Sequence, residues 1–596
     1  MNRLCTLMIL PLACAAAVVG HAANFDCGGI TYHVTDSVAG TVEVAATEAH
    51  KQLAEVVIPA VVSDGNVEWR VTGIGDGAFY MGALSQVTLP EGLTRIGEEA
   101  FRYTYLSHVD LPSTLTTIEY GAFGETGLCD TLVIPDAVTK IGSAAFTYIP
   151  ITTLRLGRSV ERLEGAAFAE CYNLTDIGQL PASLTTIGGE AFAMCGVTSA
   201  DIPSSVRVLG AGAFYASNLH EVTLHEGLEL IGEDAFAYTP LTAVNIPASV
   251  SGIGIRAFAG TAHLPAVTVD AGNSHYTAVD GMLCTAQADT LVSCPGGKTG
   301  VVRMPATMRV LKLMAMAECQ GVTAVVLNDG LTEVGVAAFD NCSALDSLCV
   351  PPSIEKWGAD LSQTAWYARQ PDGVVYLGPV AMSKHFSEAT LRLRPGTRCV
   401  VDHAFYHNDA IQQVVLPRGL VSIGNAAFAY TKLKTLRLPA TVKHIGTSAF
   451  SNCGGLKRIN FPQGLETMGA YTLATCLTLN TIISYCPEPP EPRDWYSHSF
   501  GYGSKCALYC PIGSKAAYDQ GAYSTTFVIN EIGPLGDLNN DGTTDVDDLN
   551  RLTNMLLNLE SKPLPTSVAH FVHDLNGDDN IDIDDVNELL NIMLNK

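Results

Sequence analysis

Basic side chains are scarce in this chain, with 34 Lys and Arg facing 60 Asp and Glu for a formal net charge of -26 at pH 7. Nucleic acid and anionic membrane surfaces both demand a basic footprint, so the balance argues against either as a partner and favours cations. Charge of either sign is thin, at 16% of residues, whereas apolar residues reach 47% alongside 55 Gly and 29 Pro. That composition speaks against long solvated helices and extended disorder, and it suits short apolar segments punctuated by turns. Beyond residue 23 no run supplies the ~20 uninterrupted apolar residues that span a bilayer. An H-E-x-x-H pair and a G-x-S-x-G elbow are both missing, and the 15 His are scattered, so neither zinc nor serine hydrolase chemistry is signalled.

Residues 1–23 (MNRLCTLMILPLACAAAVVGHAA) carry Arg3, an apolar stretch and a small-residue ending, the layout of a secretory signal peptide cleaved after Ala22 or Ala23. A lipid anchor through Cys14 is the competing reading, weakened by Pro11 where a lipobox wants Leu or Val. The mature chain is therefore expected to be secreted, either extracellular or associated with the cell surface. Cys5 and Cys14 leave with the signal, and an odd fifteen of the 17 cysteines remain, so complete pairing within one chain is impossible.

What the chain does have is a repeat, I-G-x-x-A-F-x-x-x-x-x-L-x-x-V-x-L-P-x-x-L. Its landmarks are Phe79, Phe101, Phe123, Phe146, Phe168, Phe192, Phe214, Phe236 and Phe258, spaced 22 to 24 residues apart. The pattern resumes at Met316 and Phe339, then at Phe405, Phe428, Phe450 and Leu473, making 15 copies. The L-x-x-V-x-L part (Leu84, Val87, Leu89; Leu241, Val244, Ile246; Leu433, Leu436, Leu438) is short, β-favouring and stopped by Pro, and so predicts a strand. The G-x-x-A-F part is expected to return as a helical turn with Phe packed between coils. Six cysteines (Cys171, Cys195, Cys319, Cys342, Cys453, Cys476) fall three residues after the landmark, where other copies have Thr, Ser, Gly, Asn or Ile. This registry predicts free, buried packing residues; Cys506 and Cys510 form the more plausible local disulfide.

A period in the low twenties with this strand core lies in the leucine-rich-repeat range, and the unit resembles the BspA-like leucine-rich repeats of bacterial surface proteins. The resemblance covers roughly residues 24–533 and implies extracellular adhesion or ligand capture. The expected organisation is a signal peptide (1–23), a β-rich N-terminal cap (24–70) and repeats over 71–262, 306–354 and 397–485. Two β-hairpin inserts (263–305 and 355–396), read from Asp280-Gly281 and Asp372-Gly373 between apolar alternating runs, interrupt them. A C-terminal cap (486–533) and a separate module (534–596) follow.

Residues 537–596 hold 13 acidic against 3 basic side chains and contain two twelve-residue loops, DLNNDGTTDVDD and DLNGDDNIDIDD, each leading into an apolar-patterned helix. Calcium takes oxygen ligands from positions 1, 3, 5, 7, 9 and 12 of such a loop. In the first these are Asp537, Asn539, Asp541, the Thr543 carbonyl, Asp545 and Asp548; in the second, Asp574, Asn576, Asp578, Asn580, Asp582 and Asp585. Position 6 is Gly542 in one loop and Asp579 in the other. A merely solvated acidic tail is the poorer reading, because charge alone does not put Asn at position 3 twice. The helices carry Leu549, Leu552, Leu556 and Val586, Leu589, Met593, an i, i+3, i+7 stripe. With Asp rather than Glu closing each loop and no entry helix, the module resembles type I dockerins. That resemblance implies two Ca2+ ions, calcium-dependent docking onto a cohesin-like domain of a scaffold protein, and partner contacts at Val546, Asp547, Ile583 and Asp584.

The fold class expected is thus an α/β repeat solenoid (leucine-rich repeats, parallel β strands with short helical turns) plus a small all-α calcium-binding dockerin module. The function expected is a non-catalytic binding or adhesion protein whose solenoid captures a protein or glycan ligand. The alternative is a hydrolase subunit of an extracellular polysaccharide-degrading complex, for which the repeats, caps, inserts and module leave no catalytic domain. Outward strand positions (Thr88, Asp110, Arg155, Asp201, Thr223, Asn245, Arg437, Asn460) are mixed polar, without an aromatic ladder for stacking sugars.

Overall fold

The computed structural model describes residues 24–490, 506–520, 527–539, 543–557, 572–573, 575 and 581–594; the expected signal segment 1–23 lies outside them. The chain divides at Thr239/Pro240 into two compact units. Both are built from parallel-strand solenoid coils, about 19 turns altogether. Helices of four or more described residues are α1 (Ala365–Ala368), α2 (Lys515–Tyr518), α3 (Val546–Leu556) and α4 (Ile583–Leu594), and among the described residues no helix is long and apolar enough to cross a membrane.

The L-x-x-V-x-L segment forms strands as expected. In the first unit Gln86–Thr88 pairs in parallel with Glu55–Val57, Ile151–Arg155 with Asp130–Val133, and Glu221–Leu224 with Ser199–Ile202. A second ladder, not anticipated from the repeat, comes from the two residues ahead of its glycine. Arg95–Ile96, Thr117–Ile118, Lys140–Ile141, Arg162–Leu163, Thr186–Ile187, Val208–Leu209 and Leu230–Ile231 pair in succession, all parallel. Glycine follows because the coils close up there: a Cβ on Gly142 would stand 2.5 Å from the Glu119 carbonyl carbon, and one on Gly188 would stand 2.7 Å from the Leu163 oxygen.

The expected helical turn at G-x-x-A-F does not form, so the coil is all β and turn rather than α/β. Amides there alternate between two uses. Those of Gly77, Phe79 and Met81 donate to the Glu98, Ala100 and Arg102 carbonyls of the next coil (2.7, 2.8 and 2.9 Å), whereas those of Ala78, Tyr80 and Gly82 close tight turns within their own coil. An α-helix would direct every amide four residues back along its own segment and leave neighbouring coils unbonded. The alternation requires left-handed backbone two residues before and two after the landmark, as at Glu99 and Tyr103 (φ 51° and 60°) or Ser448 and Asn452 (φ 58° and 55°). Each such non-glycine residue costs on the order of 1–2 kcal/mol, offset by the bonds to the next coil.

Between those two residues the landmark ring points inward. In the first unit Phe79, Phe101, Phe123, Phe146, Phe168, Phe192, Phe214 and Phe236 make one stack, with successive centroids 5.1–5.8 Å apart and rings within 18° of parallel. Buried His50 extends it at the N-terminal end, 5.4 Å from Phe79. Three residues on, the six registry cysteines are buried and free. The Cys171, Cys195, Cys342, Cys453 and Cys476 thiols lie 3.0–3.1 Å from the landmark carbonyl of the preceding coil. Thr126 and Thr239 in the same slot donate to their own coil's Phe carbonyl, which explains the interchange of Cys and Thr.

Cys506 and Cys510 are also free, correcting the disulfide expected there. Both lie on one strand, Cys506–Pro511, and four residues of strand span ~13 Å, beyond the ~4.4–6.8 Å that a disulfide bridges. The first insert does turn at Asp280-Gly281, both left-handed (φ 50° and 73°). The second turns instead at Gly378-Pro379, with Leu377 opposite Val380. There Gly378 (φ 56°) and the fixed φ of Pro379 suit a two-residue hairpin, whereas Gly373 merely begins the strand that follows Pro371. Neither insert stands apart from the solenoid: Thr290–Ser293 and Val380–Lys384 each pair in parallel with the following coil.

Two outcomes follow. Deleting one coil, Thr94 to Leu115, should lower the melting temperature less than Phe123→Asp, which puts a carboxylate where the side chain is fully buried and should cost several kcal/mol; thermal unfolding monitored by circular dichroism compares them, and a milder Asp variant would refute the stacked core. Burial pushes the Cys342 and Cys399 thiols up to about 12, so at pH 8 native protein should alkylate first at exposed Cys129 and Cys349. The registry thiols should react only after denaturation, read by mass spectrometry without reductant.

Candidate functional site

The C-terminal module has one local geometry twice. In the first half the fully buried Asp548 accepts at Oδ1 from the Leu538 and Asn539 amides (2.6 and 3.0 Å) and at Oδ2 from the Asp545 amide (2.9 Å). In the second half Asp585, equally buried, accepts at Oδ1 from Leu575 (2.6 Å) and at Oδ2 from Asp582 (2.8 Å). Asp545 and Asp582 accept from the amides two residues on, Asp547 and Asp584, at 2.9 and 2.8 Å. Asp545 and Asp548 thereby form the reciprocal capping box that starts α3. A carboxylate at the twelfth position thus ties loop entry to helix start in both halves, and α3 packs against α4.

Among the predicted ligands, Asp537 is buried, while Asn539, Thr543, Asp545 and Asp582 stand in the described parts of the loops. Asp541, Asp574, Asn576, Asp578 and Asn580, with the sixth-position Gly542 and Asp579, lie outside the described residues. Among the described residues no group of three or more His, Cys, Asp or Glu gathers to hold a metal; five of the twelve predicted ligands are not in that set. The donor set fits a hard cation: it is oxygen only, its closing carboxylates are buried, and burying carboxylates is costly unless the charge is compensated.

The helix stripe differs by one position from its expected form. Leu552 and Met555, not Leu556, are buried on α3, and Leu589 is buried on α4 with Val586 and Met593 partly covered. Leu552, Leu589, Val586 and Met593 share a core with residues of the last coils. On the strand Thr481–Ser484, Ile482 points into the solenoid interior and Ile483 into the module; Tyr485 and Ile532 join Ile483. Helices α3 and α4 are therefore seated on the strand face, not tethered beside it. Glu588 of α4 also pairs with Arg418. Asn460, expected to face outward, is buried for the same reason, its side chain bonded to the backbone of Leu438 on both sides (2.7 and 2.9 Å).

The positions expected to contact a partner behave in the opposite way. Val546 and Ile583 begin their helices at 56% and 62% exposed, and Asp547 and Asp584 beside them are exposed. Two matching apolar-acidic pairs thus face solvent while the helices' apolar stripes are consumed inside. Sequence reasoning missed Ile483, Tyr485 and Tyr509 as the seat of the module; strand alternation in TIISY, apolar on both faces, was the available signal.

The BspA type leucine rich repeat region model matches residues 72–177, 139–265, 298–361 and 384–487. Solved structures similar to the chain include a leucine rich cell surface protein from Faecalibacterium prausnitzii, 21% identical over 78% of this chain and 94% of that one, with a TM-score of 0.36. A leucine-rich repeat protein from Bacteroides ovatus is 22% identical over 81% and 100%, TM-score 0.32. The pneumococcal vaccine antigen PcpA is 18% identical over 86% and 98%, TM-score 0.30. No curated protein matches the chain in sequence.

Because the module and the last coils share a core, the double change Asp548→Ala and Asp585→Ala should disturb both. Each removal leaves buried amides unsatisfied, at ~1–3 kcal/mol per group. Faster hydrogen exchange is expected in α3 and α4 and also in Thr481–Ser484 and Phe527–Ile532, with Arg95–Ile96 of the first unit unchanged. Protection unchanged in Thr481–Ser484 would show that the module sits there without stabilising it.

Proposed function

The chain belongs to the BspA-type leucine-rich repeat family, and from that premise we propose that it is a secreted, non-catalytic capture protein. Its solenoid holds a protein or glycan ligand, and its C-terminal module, loaded with two Ca2+ ions, docks onto a cohesin-like domain of a scaffold partner. The observation that carries the docking part is the duplicated closing-carboxylate geometry of Asp548 and Asp585 beside the exposed pairs Val546–Asp547 and Ile583–Asp584. An acidic tail has no reason to bury two carboxylates in the same hydrogen-bond pattern at the twelfth position of each loop. Calcium, held by Asp537, Asn539, Asp541, Thr543, Asp545 and Asp548 and by Asp574, Asn576, Asp578, Asn580, Asp582 and Asp585, would neutralise the clustered carboxylates and order the loops.

Near identity of the two exposed pairs supports docking in two related orientations. Full-length protein should therefore retain a type I cohesin domain on calorimetry in the presence of calcium and release it on chelation. Val546→Asp or Ile583→Asp alone should leave binding through the other pair, whereas the double variant should lose at least ~30-fold, the scale of removing one interface hot spot. Retention of the cohesin in chelator, or by the double variant, would refute the assignment. Release of reducing sugar from polysaccharide by the full chain would favour the hydrolase alternative.

A further inference from the structure

We infer that the cleft where the second insert meets the coil of Phe405 is a binding site for a short neutral saccharide. This deepens the capture reading of the solenoid, on which it rests, and is independent of the calcium module. The cleft has a volume of about 470 Å³ and is lined by Tyr367 of α1, by His385 and Phe386 after the hairpin, and by Tyr406, His407 and Asp409 of the following turn. That size lies within the ~300–1,000 Å³ of small-molecule sites.

The rings are braced before any ligand arrives. Phe386 stands edge-on to Phe405 at 6.0 Å; Tyr406 is edge-on to Tyr430 at 5.6 Å, and His407 stacks on Tyr430 at 4.2 Å. His407 occupies the left-handed position (φ 56°) two residues after the landmark, which turns its side chain outward. Asn408 pins the turn to the insert, its Nδ2 donating to the Phe386 carbonyl at 2.6 Å. Tyr406 nevertheless keeps 44% of its surface exposed. Pre-organised aromatic area of this kind binds with little loss of side-chain freedom.

Charge selects among ligand classes. Lys384 is the only ammonium lining the cleft, and its Nζ donates to the carbonyls of Tyr367, Ala368 and Gln370 at 3.3, 3.0 and 2.6 Å. All three protons are committed to neutral carbonyls, so a phosphate or sulfate finds no free ammonium N–H there. Asp409 is the only carboxylate lining it, one short of the pair that cleaves a glycosidic bond, and among the described residues no three His, Cys, Asp or Glu gather to hold a metal. An aliphatic ligand would desolvate His385, His407 and Asp409 without replacing their hydrogen bonds. A pyranose satisfies both demands: its C–H face covers Tyr406, and its hydroxyls bond the imidazoles and the Asp409 carboxylate.

Titration calorimetry and saturation-transfer NMR on the full chain, with di- to tetrasaccharides of the cello, xylo, malto and chito series and with inorganic phosphate, test this. At least one neutral series should bind, with affinity reduced at least tenfold by Tyr406→Ala and measurably by Asp409→Asn, a surface change that spares folding. Tyr103→Ala, on the turn edge of the first unit, should leave it unchanged. Failure of every neutral series, indifference to both cleft variants, or preference for phosphate would overturn the site, and cohesin binding retained alongside would leave the docking reading standing. Turnover of the bound oligosaccharide would instead overturn the capture reading itself.

Discussion

The amide of the landmark residue, donating across to the Ala carbonyl of the next coil, is the interaction on which the rest of the molecule depends. Because every second amide in the turn is used this way, the turn cannot be a helix and must pass twice through left-handed backbone. That path points one side chain per coil inward and the residue two places later outward. The inward rings stack at the spacing of the coils, and the residue three places after the landmark, Cys or Thr, finds a landmark carbonyl to bond. Core, registry and the decoration of the turn edge are thus consequences of one backbone pattern, repeated until an insert or an end intervenes.

Ends are where a solenoid is vulnerable, since a terminal coil has an unpaired ladder and an uncovered face. At the N-terminus an antiparallel meander of Asn24–Cys27, Ile30–Asp36 and Thr41–Val44 and buried His50 close it. At the C-terminus Cys506–Pro511 and Phe527–Ile532 extend the ladder, and α3 and α4 cover the strand face through Ile483, Tyr485 and Ile532. The helices' apolar stripes are spent on this cover, and the residues left outside are the helix starts. The proposed docking and capture would therefore use different surfaces of the second unit, helix starts for the one and turn edge for the other.

The same division explains why the strand face looked unpromising for sugars while the turn edge does not. Thr88, Asp110, Arg155, Asp201, Thr223 and Asn245 are exposed and polar. Aromatic side chains collect in the turn instead, as with Tyr103, Tyr148, Tyr238 and Tyr430 two residues after the landmark, or Tyr406 directly after it. A period-two reading of strands cannot locate them, because the turn has its own alternation.

Periodicity by itself determined that this chain is a stack of coils, where each coil's ring and strand fall, that the six registry cysteines are packing residues, and that two acidic loops share one sequence pattern, because these are local and repeated. Which way each turn is bonded was decided only by the neighbouring coil, since an amide bonded across coils and one bonded within a helix leave the same apolar pattern. The Gly378-Pro379 hairpin was likewise hidden by the better-known Asp372-Gly373 signal, and only the antiparallel pairing of Gly373–Leu377 with Val380–Lys384 locates it. The seat of the C-terminal helices and the cleft between Tyr367 and Tyr406 join residues far apart in sequence. Side chains that meet only through the stacking of coils leave no local mark on the chain, and it is the tertiary structure that assembles them.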